Sequence, residues 1–483
     1  MKFYANKNKQ IGEKSPMIFG HFLEHFHRQI YEGVYDPSNP LSDEDGFRTD
    51  VLQALKDIQT PIIRWPGGCF VSTYNWKKGV GENRPKVFDK TWRVEDDNSF
   101  GTDEFIKLCR KIGCETYICT NAVTGTIEEM SDWVEYCNLK NEGEYAQMRK
   151  ENGFEEPHNV KYWSIGNENY GSWELGAKSV SEWGRLSVEA AKLMKHVDPT
   201  IELSSAALGD VDWNLNLLRN AKDYLGWMSL HGYWDHIHET NDFCSYERAM
   251  EKTKGLDTQV KRVKGLLTAL GLEGRIKIAF DEWNLREWYH PKIHGSVQGL
   301  TKEDYLYPRD KNDYNTKYTM ADAVFSACFL NMCMNNCDIV KMANFSPVVN
   351  TRGCICTHKD GIVLRSTYFV FLLYVNYLGE TVLDSWHEDF DEDIDLTVTY
   401  FKDTDSYALA VANKSKDAQK EIELNFDCEG MVEKHYITGE SCDSYNDINH
   451  TEILVIDETV GEYVKGMKVE LAPHSVNVIC IKE

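Results

Sequence analysis

Eight short apolar runs recur between residues 16 and 345: "PMIFG", "PIIRW", "ETYICTN", "VKYWSIG", "IELSSAA", "GWMSLHG", "IKIAFDE" and "DIVKMANF". A brief, nearly continuous apolar run is the pattern of a strand covered on both faces. Helical periodicity fills most of the gaps. "TDEFIKLCRKIG" puts Phe105, Leu108, Cys109 and Ile112 on one face and ends at Gly113. "SVSEWGRLSVEAAKLMKHVDP" sets Val180, Trp183, Leu186, Ala190, Leu193 and Val197 in register before Pro199. Eight buried strands alternating with helices predict an α/β fold, a (β/α)8 TIM barrel. The rival, an open doubly wound sheet, requires a glycine-rich phosphate loop after its first strand, and the sequence has none there.

Beyond about residue 380 the period changes to two. "DLTVTYFK", "SYALAVANKS", "QKEIELNFD", "TEILVIDET" and "SVNVICIKE" alternate apolar and polar residues, as half-buried strands do. An appended C-terminal β-sandwich is expected, and the alternating "MKFYANK" at the start is expected to join it. A chain of 483 residues exceeds one ordinary core. The expected division is an N-terminal strand over 1–15, a catalytic barrel over 16–380 and a sandwich over 381–483.

Charge narrows the partners. The formal net charge of -24 argues against nucleic acid or an anionic membrane as a partner, since either would need a basic patch. No window reaches the roughly 20 apolar residues of a membrane span, and "MKFYANKNKQIGEKSP" lacks the apolar centre of an export signal. The 14 cysteines are scattered with no C-x-x-C, a usage that fits reduced thiols and a cytoplasmic setting.

In a TIM barrel the chemistry sits where the strands end. "WSIGNENYG" places Asn167 and Glu168 there, and "IAFDEWN" places Asp281 and Glu282; "IIRWPGGCF" and "LHGYW" close two other strands. One such glutamate would as readily be a solvated ion-pair partner. Two, each beside an asparagine and a tryptophan, supply the proton donor and the nucleophile or base that glycoside hydrolysis needs. Arg64 is expected to hold a carboxylate in place, and Trp163 to belong to the core.

Two metal-like patterns compete with this reading. "HFLEH" matches H-x-x-E-H through His21, Glu24 and His25. A zinc protease carries that motif on a long helix, whereas here strand-like "MIFG" precedes it and "YEGVYDPSNP" breaks the chain soon after. "CICTH", with Cys354, Cys356 and His358, has no usual zinc spacing. Neither a metal nor a cofactor is expected.

Five ordered stretches, "GHFLEHFHRQIYEGVYDP", "IIRWPGGCFVSTYNWKKGVG", "FGTDEFIKLCRKIG", "WSIGNENYGSWELG" and "IAFDEWN", resemble the α-L-arabinofuranosidases of glycoside hydrolase family 51. The resemblance runs from about residue 17 to about 375 and continues weakly to "LAPHSVNVICI". It implies an exo-acting, retaining enzyme that releases terminal arabinofuranosyl units from arabinose-containing oligosaccharides. Glu168 would be the acid/base and Glu282 the nucleophile, with carboxyl groups about 5–5.5 Å apart. Glu168 would need a raised pKa, helped by the charge of Glu282. Asn167 would donate to the sugar 2-hydroxyl and Glu24 would bind other hydroxyls; His231 and Tyr233 would lie near nucleophile and sugar, and Trp92 would wall the pocket.

Two residues depart from the family pattern. Cys69 stands where many members have asparagine, although others share the cysteine, and Pro347 stands where some have a sugar-binding glutamine. An altered pocket could admit a galactofuranosyl unit. The insertion over residues 284–313 reads as a cover that favours exo action over an endo-β-glucanase or xylanase. A silent carbohydrate-binding protein would lack one glutamate, and both are present. The family commonly forms hexamers, so a homo-oligomer is implied.

Overall fold

The computed structural model describes residues 1–235, 243–287, 301 and 318–482. Strand β1 (Lys2–Glu13) opens the chain, and the 3-10 turn Pro16–Phe19 follows. Next come β2 (Gly20–Phe22), β3 (Ile62–Trp65), the hairpin β4 (Val87–Asp89) and β5 (Val94–Asp96), then β6 (Glu115–Thr120), β7 (Tyr162–Ile165) and β8 (Glu202–Ala206). After these lie β9 (Trp227–Asp235), β10 (Lys277–Arg286) and β11 (Val340–Phe345). The parallel strands β10-β11-β2-β3-β6-β7-β8-β9 form a closed barrel, the expected architecture.

One of the eight expected strands is displaced. "PMIF" forms the 3-10 turn because Ser15 accepts a hydrogen bond from the Met17 amide and Pro16 pre-sets the first helical φ. The first barrel strand therefore starts at Gly20, and His21 lies within it rather than beyond its end.

The helices show where apolar periodicity succeeds and where it slips. Thr102–Ile112 stops at Gly113, whose φ of 89° is a left-handed conformation that glycine adopts without a Cβ penalty. Val180–Val197 starts at a capping box of Ser179 and Glu182. Its buried face is Trp183, Ser187, Val188, Ala190, Ala191 and Met194, so the expected face is rotated. Val180 and Leu193 are 36% and 39% exposed. Ser187 sits on the inner face because its hydroxyl meets that of Ser205 at 3.0 Å.

Inside the barrel Ile62, Tyr117, Tyr162, Trp227, Ala279 and Met342 form a separate apolar cluster. Toward the strand ends the interior turns polar, with Arg64, Ser229 and Asp281 buried. Trp163 is fully buried, as expected, and Trp283 is core too, stacking on Phe329 at 4.1 Å.

A hairpin of β12 (Ile355–His358) and β13 (Gly361–Leu364) precedes the last part of the chain. There β14 (Thr381–Glu388), β15 (Ile394–Phe401), β16 (Ser406–Asn413), β17 (Lys420–Asn425), β18 (Met431–Ile437), β19 (Ile456–Glu462), β20 (Met467–Leu471) and β21 (Ser475–Lys482) join β1. They form one nine-stranded, sandwich-like sheet in the order β19-β18-β21-β16-β15-β14-β1-β17-β20. β1 pairs antiparallel with β14 and parallel with β17. Alternation along β16 divides two cores: Tyr407, Leu409 and Val411 join that of the sheet, whereas Ala408, Ala410 and Ala412 join that of the barrel. Small alanines let the sheet approach the barrel's helices closely.

Among the described residues no helix is long and apolar enough to cross a membrane. Most of the insertion expected to cover the pocket, residues 288–300 and 302–313, lies outside the described residues.

Candidate active site

The most informative local feature is a β-bulge. In strand β10, Phe280 pairs with Leu230 but Glu282 pairs with the very next residue, His231, so Asp281 is the extra residue. Strict alternation would point Asp281 and Glu282 to opposite faces. The bulge instead lets both meet His231: its Nε2 lies 3.3 Å from Asp281, and its Nδ1 lies 3.7 Å from Glu282.

Glu282 is held at both oxygens. Arg64 Nη1 donates to Oε1 at 2.7 Å and the Tyr233 hydroxyl to Oε2 at 2.6 Å. The backbone of "PGG" closes over it, for a Cβ on Gly68 would stand 2.7 Å from Oε1. Beneath it, Asp281 takes hydrogen bonds from Ser229 at 2.6 Å and Tyr117 at 2.8 Å, with Arg64 Nε at 3.3 Å. Burial opposes its charge, but Arg64 and His231 prevail and hold its pKa down at about 2. Asp281 thus neutralises Arg64 and His231 from below.

Glu168 follows strand β7 on a tight turn. Its φ of 44° is unusual for a residue with a side chain, a strain that clusters at functional sites. Its Oε1 lies 2.7 Å from His231 Nδ1, and Trp173 Nε1 donates to Oε2 at 2.9 Å. One oxygen each of Glu168 and Glu282 and a ring nitrogen of His231 lie within 4.8 Å of one another. Burial works against a charged His231, yet Glu282 and Glu168 raise its pKa to about 10.

In the unliganded site Glu168 is shifted in the direction opposite to the rise that the acid role needs when substrate is bound. Burial pushes its pKa up, but His231, Trp173 and Arg64 outweigh that, and the carboxyl sits below the usual range. The 2.7 Å contact with His231 there favours the charged form of both partners.

Glu24, just past β2, accepts from the Phe70 amide at 2.9 Å and from Trp92 Nε1 at 3.0 Å. Burial and then the Glu282 charge raise its pKa to about 8. A neutral carboxyl both donates and accepts, which suits a sugar hydroxyl. Trp92 lies between β4 and β5 with its ring centroid 4.0 Å from that of Phe26. Cys69 begins a 3-10 turn after β3 and lies beside Glu168 and Glu174. Burial pushes its thiol well above the ordinary range, so it is a neutral S–H. Asn167 accepts from Arg64 Nη2 at 2.9 Å and donates to Glu174 at 3.1 Å. Pro347 follows Ser346, whose hydroxyl is 2.7 Å from that of Tyr233.

The structure thus brings Glu24, Arg64, Cys69, Trp92, Asn167, Glu168, His231, Tyr233 and Glu282 to one end of the barrel. Sequence reasoning left out Glu174, Asp281 as an anchor, and Ser346. Glu174 was open to detection, since "SWELG" follows Glu168 in the same strand-end loop. Asp281 was concealed by the bulge.

The H-x-x-E-H residues diverge. His21 is buried beside Phe371, with burial lowering its pKa to about 3, and His25 bonds Asp96 at 2.8 Å and Trp65 at 3.1 Å. Among the described residues, donor spacings that would suit a metal occur in two groups, Cys69–Glu168–Glu174 and Glu168–His231–Glu282. Their carboxylates already bond to Arg64, Tyr233, Trp173, His231, Asn167 and Ser72, the pattern of a proton-carrying cluster.

Comparisons with known proteins agree with this geometry. A family model described as "Alpha-L-arabinofuranosidase 1 domain" matches residues 54–252, and "Alpha-L-arabinofuranosidase C-terminal domain" matches 281–475. An intracellular exo-alpha-(1->5)-L-arabinofuranosidase of Bacillus subtilis is 30% identical, with 100% of this chain and 99% of that one covered. A protein so named from Acetivibrio thermocellus is 32% identical over 88% of this chain and 87% of its own. The crystal structure of an α-L-arabinofuranosidase–arabinose complex from Thermotoga maritima superimposes with a TM-score of 0.89 at 33% identity, covering 100% of both chains. With matched domains, full-length relatives and a common architecture, the chain belongs to the α-L-arabinofuranosidases of glycoside hydrolase family 51.

Proposed function

We propose that the protein releases terminal non-reducing α-L-arabinofuranosyl residues from arabino-oligosaccharides by double displacement, with Glu282 as nucleophile and Glu168 as acid/base. The observation that carries this is the placement of the two carboxylates, with an oxygen of each inside 4.8 Å and His231 between them. Retention follows from membership of glycoside hydrolase family 51, and the close approach of the two carboxylate oxygens is compatible with the roughly 5–5.5 Å between the carboxyl groups of retaining enzymes.

Arg64 and Tyr233 fix the carboxylate of Glu282 for attack on the anomeric carbon. The leaving oxygen takes the proton shared by His231 and Glu168 through Glu168, which leaves His231 neutral. Formation of the glycosyl ester removes the charge of Glu282. That charge is the largest influence raising the histidine's proton affinity. The pair therefore loses affinity for a proton once the ester has formed. Water then attacks the ester, and Glu168 with His231 takes its proton back as Glu282 is released. Glu24, Trp92, Asn167 and Cys69 surround the place of the sugar, and Asn167 keeps one N–H for its 2-hydroxyl.

The protein works in the cytoplasm on short arabinose-containing oligosaccharides and assembles as a homo-oligomer, a hexamer by family resemblance. Light scattering of the purified protein checks the assembly. Activity is tested on nitrophenyl glycosides of α-L-arabinofuranose, β-D-galactofuranose, β-D-xylopyranose and β-D-glucopyranose, with Glu282→Ala as blank. Preference for the arabinofuranoside is expected; preference for another sugar would mean that Cys69 and Pro347 have rebuilt the pocket.

A further inference from the structure

The site holds one buried acid that neither the nucleophile nor the acid/base explains. Glu174 is 5% exposed, and among the described residues it forms no ion pair with a lysine or arginine. Its donors are neutral: Asn167 Nδ2 to Oε1 at 3.1 Å, Ser72 Oγ to Oε2 at 3.0 Å, and the Cys69 thiol. Arg64 grips the other end of the Asn167 amide. Asn167 is thus held between a cation and a carboxylate, and Glu168 and Cys69 each place a donor atom within 4.8 Å of one on Glu174.

We infer that Glu174 is a positioning residue for the glycosidic reaction: it sets the Asn167 amide so that the second N–H faces the sugar, and its charge beside Glu168 strengthens that residue's hold on the transferred proton. The inference rests on Glu168 being the acid/base. The charged and titratable groups facing Glu174 are Glu168 on its own loop, Cys69 on the turn after β3 and Glu282 on β10, with Arg64 acting through Asn167. Burial and then Glu168 raise its pKa to about 7. Its charge is therefore fullest on the alkaline side, where a general acid runs out of protons. An uncharged side chain of the same shape would leave Asn167 in place while removing that charge.

Glu174→Gln and Glu174→Ala in the full-length protein separate the two effects. Glutamine can still accept from Asn167 and donate to Ser72 Oγ, so kcat at the optimum stays within a few-fold of the parent. The alkaline limb of kcat/KM moves to lower pH by about half a unit or more, because Glu168 has lost a neighbouring negative charge. Alanine also frees the amide and lowers kcat/KM by about ten- to a hundredfold, a loss that the glutamine variant restores. Thermal unfolding of both variants checks folding, and if the alanine form does not fold, the limb of the glutamine form decides alone. An unmoved alkaline limb in Glu174→Gln overturns the inference and leaves Glu168 and Glu282 untouched. The Glu168 assignment fails separately, through full activity of Glu168→Ala on a substrate with a poor leaving group, and the Glu282 assignment through full activity of Glu282→Ala.

Discussion

Gly68→Ala places one methyl group against the proposed nucleophile. The new Cβ would lie 2.7 Å from Glu282 Oε1, 3.4 Å from Cδ and 3.5 Å from Oε2. Non-bonded contacts settle near about 3.5 Å, so the nearer oxygen must retreat by roughly 0.5–0.8 Å. That oxygen is the one Arg64 holds at 2.7 Å. A 1 Å misplacement at a reacting centre costs about a hundredfold, so kcat/KM should fall about ten- to a hundredfold. The corresponding rise in barrier is about 1.4–2.7 kcal/mol. Steady-state kinetics on a nitrophenyl arabinofuranoside should show the loss mainly in kcat, since Glu24 and Trp92 are undisturbed. Gly67→Ala is the contrasting control. It combines a φ of 150° with a Cβ 2.4 Å from Glu24 Cγ, and it should lower Tm as well as activity. Parent-like kcat/KM in Gly68→Ala would refute the position assigned to the nucleophile's carboxylate.

Tyr233→Phe removes one of the two donors on Glu282, and kcat/KM should fall by about tenfold or more, the worth of a hydrogen bond to a charged group; an unchanged value would dismiss that contact. Glu168→Ala should slow substrates with poor leaving groups far more than those with good ones, because only the former need a proton; equal losses would argue against the acid role. Stability should fall as the solution becomes alkaline. Burial with the Glu282 charge raises Glu24 to about 8, and burial with the Glu168 charge raises Glu174 to about 7, both from 4.5. The folded state thus keeps protons that the unfolded chain loses above pH 4.5, and that stability drains away as pH climbs through the folded values. His231 adds a loss of the same sign between 6.5 and about 10, since its carboxylate partners overcome burial. Thermal unfolding from pH 5 to 9 should give a steadily falling Tm, and a rising one would contradict these protonation states.

The barrel was legible because strands covered on both faces carry unbroken apolar runs, as "IKIAFDE" and "DIVKMANF" do. "PMIF" carries the same signal, yet Ser15 and Pro16 turn it into a 3-10 turn, a local effect that hydropathy ignores. In the terminal sheet β18 went unread because Lys434 and His435 are buried at positions where alternation alone expects apolar side chains, while β14 buries only its first three residues and β20 is five residues long. The two glutamates stood out because each follows a short apolar run, although β10 continues past Glu282 to Arg286 and Glu168 lies beyond the end of β7. Their surroundings did not, since the bulge at Asp281 and the pairing of His231 with Glu168 arise only when β7, β9 and β10 meet. That pairing draws the pKa of Glu168 down in the unliganded site.

The most direct test of the double-displacement account is to trap its intermediate. The protein would be incubated with a 2-deoxy-2-fluoro-α-L-arabinofuranoside bearing a good leaving group, and its intact mass and peptides read by mass spectrometry. The account predicts one arabinofuranosyl adduct on the peptide containing Glu282, lost on transfer to an acceptor and absent from Glu282→Ala. An adduct on Glu168 or another residue, or turnover with inversion and no adduct, would contradict it.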